Sequence, residues 1–253
     1  MTRYLPHPPA GGADLRLFCF HHAGGSASAF RGWSDVLGPR VEVVPVQLPG
    51  RESRIREPRF TRLMPLVTEV EAALAGYLDQ PYAFYGHSMG ALLAHALVDR
   101  AAPGTRLPET LIVGGCPAPH EGPTLNLPRG MSDPELAELL IGMGGLPAEL
   151  ADQPEWLAAL LPVIRDDLAV CGDRCPAPSR RLPVPLHVLA GHDDLLVDVD
   201  KVLAWQEHTS ESFRAEVLPG GHFFARDRPE AFFSALIWAV HAHVPSSSFL
   251  NAC

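Results

Sequence analysis

Lysine is almost missing from this chain: Lys201 is the one lysine among 20 basic residues, and 29 acidic residues outweigh them to leave a net charge of −9. An acidic balance argues against broad attachment to nucleic acid or to an anionic membrane, both of which select a cationic surplus. Long apolar runs are missing too. None approaches the roughly 18 residues of a membrane span, and the stretch from Met1 to Asp14 carries Pro, Gly and Asp where a signal peptide needs an apolar core. A cytoplasmic protein is therefore expected. Cysteine is sparse, 5 in 253 residues, odd in number and scattered, unlike a disulfide framework. Cys171 and Cys175 have the wrong spacing for a zinc knuckle and no second pair, so free thiols and no metal site are expected. Repeats and low-complexity tracts are lacking, the nearest being a Ser246 to Ser248 tail expected to fray.

What is present is the composition of a globular protein, 47% hydrophobic and 19% charged. Its length suits one α/β domain, residues 1–253, enlarged by an insertion. Short β-rich runs at Leu15 to Phe20, Val41 to Val46, Tyr82 to Gly86, Thr110 to Gly114, Pro185 to Ala190 and Arg214 to Leu218 alternate with helical patterns. That alternation predicts βαβ units and a mainly parallel sheet. Leu63, Leu66, Val67, Val70, Leu74 and Leu78 recur at helical spacing; further helices are expected at Ala29 to Leu37, from Met89 through Leu97, and after Asp227. From Pro117 to about Leu182 the alternation stops. Two amphipathic helices are expected there, one opened by Ser132 and Glu135 as a capping box, the other near Asp152 to Val170, as a lid over the sheet.

Gly86-His87-Ser88-Met89-Gly90 fits G-x-S-x-G between a buried strand and a helix, the surround in which a sharp turn presents a serine hydroxyl. A serine needs a base, and the base a carboxylate to hold it. Gly220-Gly221-His222 follows the last strand and makes His222 the best base among the histidines. Gly114-Gly115-Cys116-Pro117-Ala118 offers no acid, so it must come from the loop after Ala190, where Asp193, Asp194 and Asp198 compete. Attack on a carbonyl also needs two backbone donors. The N–H of Met89 is one, and the other should come from His21-His22-Ala23-Gly24-Gly25-Ser26, whose small residues let backbone approach a ligand.

Phe20 to Ser26, Gln47-Leu48-Pro49-Gly50-Arg51-Glu52, the Ser88 elbow, Gly191 to Val197 and Gly221-His222-Phe223-Phe224 together resemble the type II thioesterases, free-standing α/β-hydrolases of polyketide and nonribosomal peptide synthesis. The resemblance runs from about Leu15 to Val240. It implies an α/β-hydrolase fold with the insertion, about 117–182, as a lid over an acyl channel, and Ser88, Asp194 and His222 as the triad. It also implies Ala23 and Met89 as backbone donors, no cofactor, and as substrate an acyl-phosphopantetheine on an acyl or peptidyl carrier protein. Cys116-Pro117-Ala118-Pro119-His120 departs from the family, which often carries Arg before Ala-Pro-His. A monomer is expected. Rival readings are a carboxylesterase or lipase for free esters, an acyltransferase, and a ligand-binding module on a non-catalytic hydrolase scaffold.

Arg51, Arg54, Arg56, Arg59 and Arg62 stand against only Glu52 and Glu57 between positions 51 and 62. In so acidic a chain this density reads as a docking surface for an acidic carrier or its phosphate, with a solvated loop as the plainer alternative.

Overall fold

Leu15, Leu17 and Cys19 project to one side of the first strand and Phe18 and Phe20 to the other, and all five are buried. Such two-sided burial belongs to a parallel sheet with both faces covered. The computed structural model, which describes residues 2–122, 130–173 and 181–244, has a six-stranded sheet whose neighbouring strands all pair in parallel. The strands are β1 (Leu15–Phe20), β2 (Val41–Pro45), β3 (Tyr82–His87), β4 (Leu111–Gly114), β5 (Leu186–Gly191) and β6 (Phe213–Leu218), in the order β2-β1-β3-β4-β5-β6. Each strand lies within a residue or so of its expected run, and the α/β-hydrolase architecture follows the sequence expectation.

One face carries α1 (Trp33–Leu37) and the last helix (Pro229–His241), whose Trp33, Leu37, Phe232 and Leu236 share a core with Leu17 and Tyr85. The other carries α2 (Leu63–Leu74) and α3 (Met89–Arg100), which bury Leu66, Val70, Leu93 and Leu97 against Phe18, Phe84 and Val113. The helix expected at Ala29 to Leu37 is broken. A 3₁₀ turn covers Ala27–Phe30, and Gly32, at φ 80°, caps α1 afresh, because a left-handed residue cannot continue a right-handed helix.

The chain steps from β1 outward to β2, then returns to the opposite side of β1 as β3. At such a reversal the connections leave in opposite directions and open a crevice at the carboxyl ends of the two strands. The loop after β1 and the turn after β3 therefore meet where Ser88 stands.

Between β4 and β5 lie α4 (Asp133–Gly142) and α5 (Pro154–Gly172). The capping box forms as expected: Ser132 Oγ accepts from the Glu135 N–H, and Glu135 Oε2 accepts from the Ser132 N–H at 2.7 Å. Leu136, Ala137, Leu146, Leu161 and Ile164 give this insertion a small core of its own. Cys19 is a buried thiol; Cys175, Cys253 and the Ser246 to Ser248 tail lie outside the described residues.

Burial also fixes a response to acid. His95 sits in α3 against Trp205 and His208 with its Nε2 unpartnered among the described residues. Desolvation lowers its pKa to about 4. Below the ordinary histidine value of about 6.5 the unfolded chain binds this proton and the folded one does not, so stability falls as pH falls, by up to about 3 kcal/mol at pH 4. Thermal melts from pH 7 to 4 should show this loss, and His95→Leu should flatten the slope; an unchanged slope would refute a neutral buried His95.

Candidate active site

Ser88 caps α3 with φ 54° and ψ −114°, one of two non-glycine residues with positive φ among the described ones. Neighbouring glycines permit this strained turn by their lack of bulk. A Cβ on Gly86 would overlap the Gly90 carbonyl, and one on Gly90 would overlap the Phe20 carbonyl. The hydroxyl is thereby presented at the end of β3, half-buried, and Ser88 Oγ makes no hydrogen bond among the described residues.

His222 arrives from the loop after β6 and Asp194 from the loop after β5. The His222 Nδ1–H donates to Asp194 Oδ2 at 2.8 Å, with the two side chains 4% and 1% exposed. Asp194 Oδ1 accepts the N–H groups of Leu196 at 2.8 Å and Val197 at 3.1 Å. Of the three competing aspartates, only this one is turned inward to the imidazole. Asp193 pairs with the neighbouring His192, and Asp198 lies near Lys201, both at the surface. With Nδ1 holding the proton, Nε2 of His222 keeps its lone pair. No hydrogen bond joins it to Ser88 Oγ, although both side chains line the same pocket.

The N–H groups of Ala23 and Met89 have no hydrogen-bond partner among the described residues. Both residues line, with Ser88 and His222, a narrow pocket of about 60 Å³. Its walls are mostly apolar, and Leu140, Met143, Ile164 and Leu168 of the insertion form part of them.

Sequence reasoning does not single out His87, since it precedes the loops expected to supply base and acid. It is buried, donates its Nε2–H to the backbone carbonyl of His222 at 2.9 Å, and meets the Tyr85 hydroxyl through Nδ1 at 3.3 Å. Desolvation, then the neighbouring His222 and His22, hold its pKa well below the ordinary value. A neutral His87 thus steadies the His222 loop without placing a second cation beside it. The available signal was Gly114-Gly115: a Cβ at either position would crowd the His87 ring.

The arginines separate into two sets. Arg51 and Arg54 are buried. Arg51 pairs with Asp167 of α5, while Arg54 donates to Glu57 and to the Gln47 carbonyl and lies over the Tyr4 ring. Arg56 is at the surface, Arg59 donates to Asp166 at 2.6 Å, and Arg62 lies 3.6 Å from Asp173.

The family model for the thioesterase domain matches residues 15–238. The chain belongs to the thioesterase family. This thioesterase is 37% identical to the RedJ thioesterase of the prodiginine pathway of Streptomyces coelicolor, over 92% of this chain and 91% of that one, with a TM-score of 0.80. It is 33% identical to BorB, a type II thioesterase of the borrelidin cluster, over 96% and 97% of the two chains, with a TM-score of 0.82. A curated relative from Brevibacillus parabrevis, 35% identical over 93% of this chain and 91% of its own length, is named linear gramicidin dehydrogenase LgrE. The thioesterase is accordingly an enzyme of the serine-hydrolase kind, with relatives in polyketide and nonribosomal peptide biosynthesis. No helix among its described residues is long and apolar enough to cross a membrane.

Proposed function

We propose that this thioesterase hydrolyses acyl groups from the phosphopantetheine arm of acyl or peptidyl carrier proteins, clearing stalled or aberrant units from a biosynthetic assembly line. One observation carries the reading: a serine hydroxyl and two backbone N–H groups, none with a hydrogen-bond partner among the described residues, share an apolar pocket with a histidine whose Nδ1–H donates to a buried carboxylate.

In this reading Ser88 Oγ attacks the thioester carbonyl while His222 Nε2 takes its proton. The carbonyl oxygen becomes an oxyanion and accepts from the N–H groups of Ala23 and Met89. As the tetrahedral adduct collapses, the C–S bond breaks, and His222 returns the proton to the departing sulfur. Water then gives a proton to His222 and attacks the acyl-serine; the second adduct releases the carboxylic acid, and the proton returns to Ser88. Asp194 keeps Nδ1 protonated and stabilises the transient imidazolium. The insertion acts as a lid, with Leu140 of α4 and Ile164 and Leu168 of α5 walling the pocket that receives the acyl chain.

Docking of the carrier falls to the exposed Arg56 and Arg59 rather than to Arg51 and Arg54, which are buried. Hydrolysis of an acyl-carrier thioester, followed by release of the carrier thiol, tests the activity and the docking together. Arg56→Glu should raise KM for the carrier substrate by about threefold to tenfold at low ionic strength, less as salt screens the contact, and leave turnover of a small neutral p-nitrophenyl ester unchanged. No hydrolysis of any carrier thioester beside brisk ester turnover would instead favour the free-ester hydrolase. An equal response of both substrates would move the docking site elsewhere.

A further inference from the structure

Arg51 lies within the Pro49-Gly50-Arg51-Glu52 motif, yet the docking reading leaves its burial unexplained. Its guanidinium meets Asp167 through two parallel bonds, Nη1 to Oδ2 at 2.6 Å and Nη2 to Oδ1 at 2.9 Å, with the side chains 8% and 4% exposed. The Nε–H also donates to the Pro49 carbonyl at 3.2 Å. A buried ion pair is no more stabilising, as a rule, than two packed apolar side chains, because each charge must first leave water. Stability alone is therefore a weak reason for this one.

The remaining contacts of the pair supply a better reason. Asp167 Oδ2 also accepts the N–H of Gly24 at 2.8 Å, and Arg51 Nη1 donates to the carbonyl of Gly25 at 3.3 Å. The two residues directly after Ala23 are thus gripped, one by its N–H and the next by its C=O. Gly24 has φ 76°, and a Cβ there would strike Ile164, one turn before Asp167 on α5, so the loop lies flat against this helix. With the Gly24 N–H consumed by Asp167, the N–H of Ala23 is a loop donor beside Ser88 that has no partner among the described residues.

We infer that Arg51 and Asp167 are positioning residues for the transition state: the pair fixes the β1 loop so that the Ala23 N–H faces the forming oxyanion, and it does so from the helix of the insertion. This inference rests on the proposed serine mechanism with Ala23 as a donor. It ties donor alignment to the seating of α5, so that the hole is complete only while that helix is docked.

The test compares ground-state with transition-state binding. Asp167→Asn keeps the shape and removes the charge. Its kcat on a small acyl thioester should fall about tenfold to hundredfold with KM little changed, the pattern of a misaligned oxyanion donor in a site that still binds its substrate normally. Affinity for a trifluoromethyl ketone, which adds to Ser88 and places an oxyanion in the hole, should fall by the same factor. Affinity for the matching unreactive thioether should not. Because Asp167→Asn leaves Arg51 buried without its anion, the double variant Arg51→Met/Asp167→Leu separates folding from alignment. It should melt at or above the temperature of the unsubstituted protein and still show the falls in kcat and ketone affinity. A double variant with undiminished kcat and ketone affinity would overturn the inference, as would parallel falls in ketone and thioether affinity that track the melting temperature. If the ketone forms no adduct at Ser88 in the unsubstituted protein, the serine mechanism itself fails and the positioning role with it.

Discussion

Ser88→Ala should lower thioester turnover by about 10⁴-fold to 10⁶-fold, while the protein folds as before. In the proposed mechanism the loss is large because the hydroxyl supplies the covalent route, and the pocket and donors alone would retain only modest catalysis. Folding should survive because Ser88 Oγ holds no hydrogen bond among the described residues, and because the turn at φ 54° is set by Gly86 and Gly90 rather than by the hydroxyl. A fluorophosphonate should add once to the unsubstituted chain, on the peptide containing Ser88, and not at all to the variant. Labelling of another residue, or near-normal hydrolysis by the variant, would show that the elbow is only a tight turn.

Asp194→Asn should cost about 10⁴-fold in turnover, with thermal stability far less affected. The geometry explains why so small a change is so expensive. The substituted amide can still accept the N–H groups of Leu196 and Val197 through its carbonyl oxygen, which places its NH₂ opposite His222 Nδ1. An NH₂ donates where the carboxylate accepted, so the imidazole must present a lone pair at Nδ1 and carry its proton on Nε2. The base is then occupied on the side facing Ser88. Asp193→Asn and Asp198→Asn should leave turnover near normal, since neither side chain faces the imidazole. Comparable loss in either of those, with Asp194→Asn active, would transfer the role of the acid to that neighbour. Combining Asp194→Asn with Ser88→Ala should add little to the Ser88 loss, because the three groups act as one unit.

The four inner strands were legible because each is a short, mainly apolar run, whereas the edge strands carry charge, Glu42 in one and Arg214 and Glu216 in the other; Ser88 was legible because two glycines around a serine between strand and helix have few other uses. The choice of Asp194 over Asp193 was not legible from local pattern. Both follow Gly191 in one turn, and only the fold sends one inward and the other to solvent. The arginine loop shows the opposite weakness. Five cations close in sequence suggest a charged surface, yet the carboxylate that draws Arg51 inward is Asp167, 116 residues away. No spacing within residues 51–62 could reveal that partner. His87 was overlooked for a similar reason, since its contact is with the backbone of His222, 135 residues on. Such long-range pairings depend on the sheet order, which brings the ends of β1, β3, β5 and β6 to one rim.

The separate small core of the insertion bears on protein engineering. Because Leu136, Leu146 and Leu161 belong to a cluster separate from the two cores of the sheet, this segment resembles a cassette that could be traded between thioesterases to alter acyl selectivity. Its seam with the body is nevertheless ionic and specific: Asp166 meets Arg59, Asp167 meets Arg51 and Gly24, and Asp173 accepts the Leu63 N–H. A chimera whose imported segment lacked these three aspartates would leave Arg51 buried without its anion. Recombination would succeed most readily when the junctions transplant those aspartates, or their arginine partners, as a matched set.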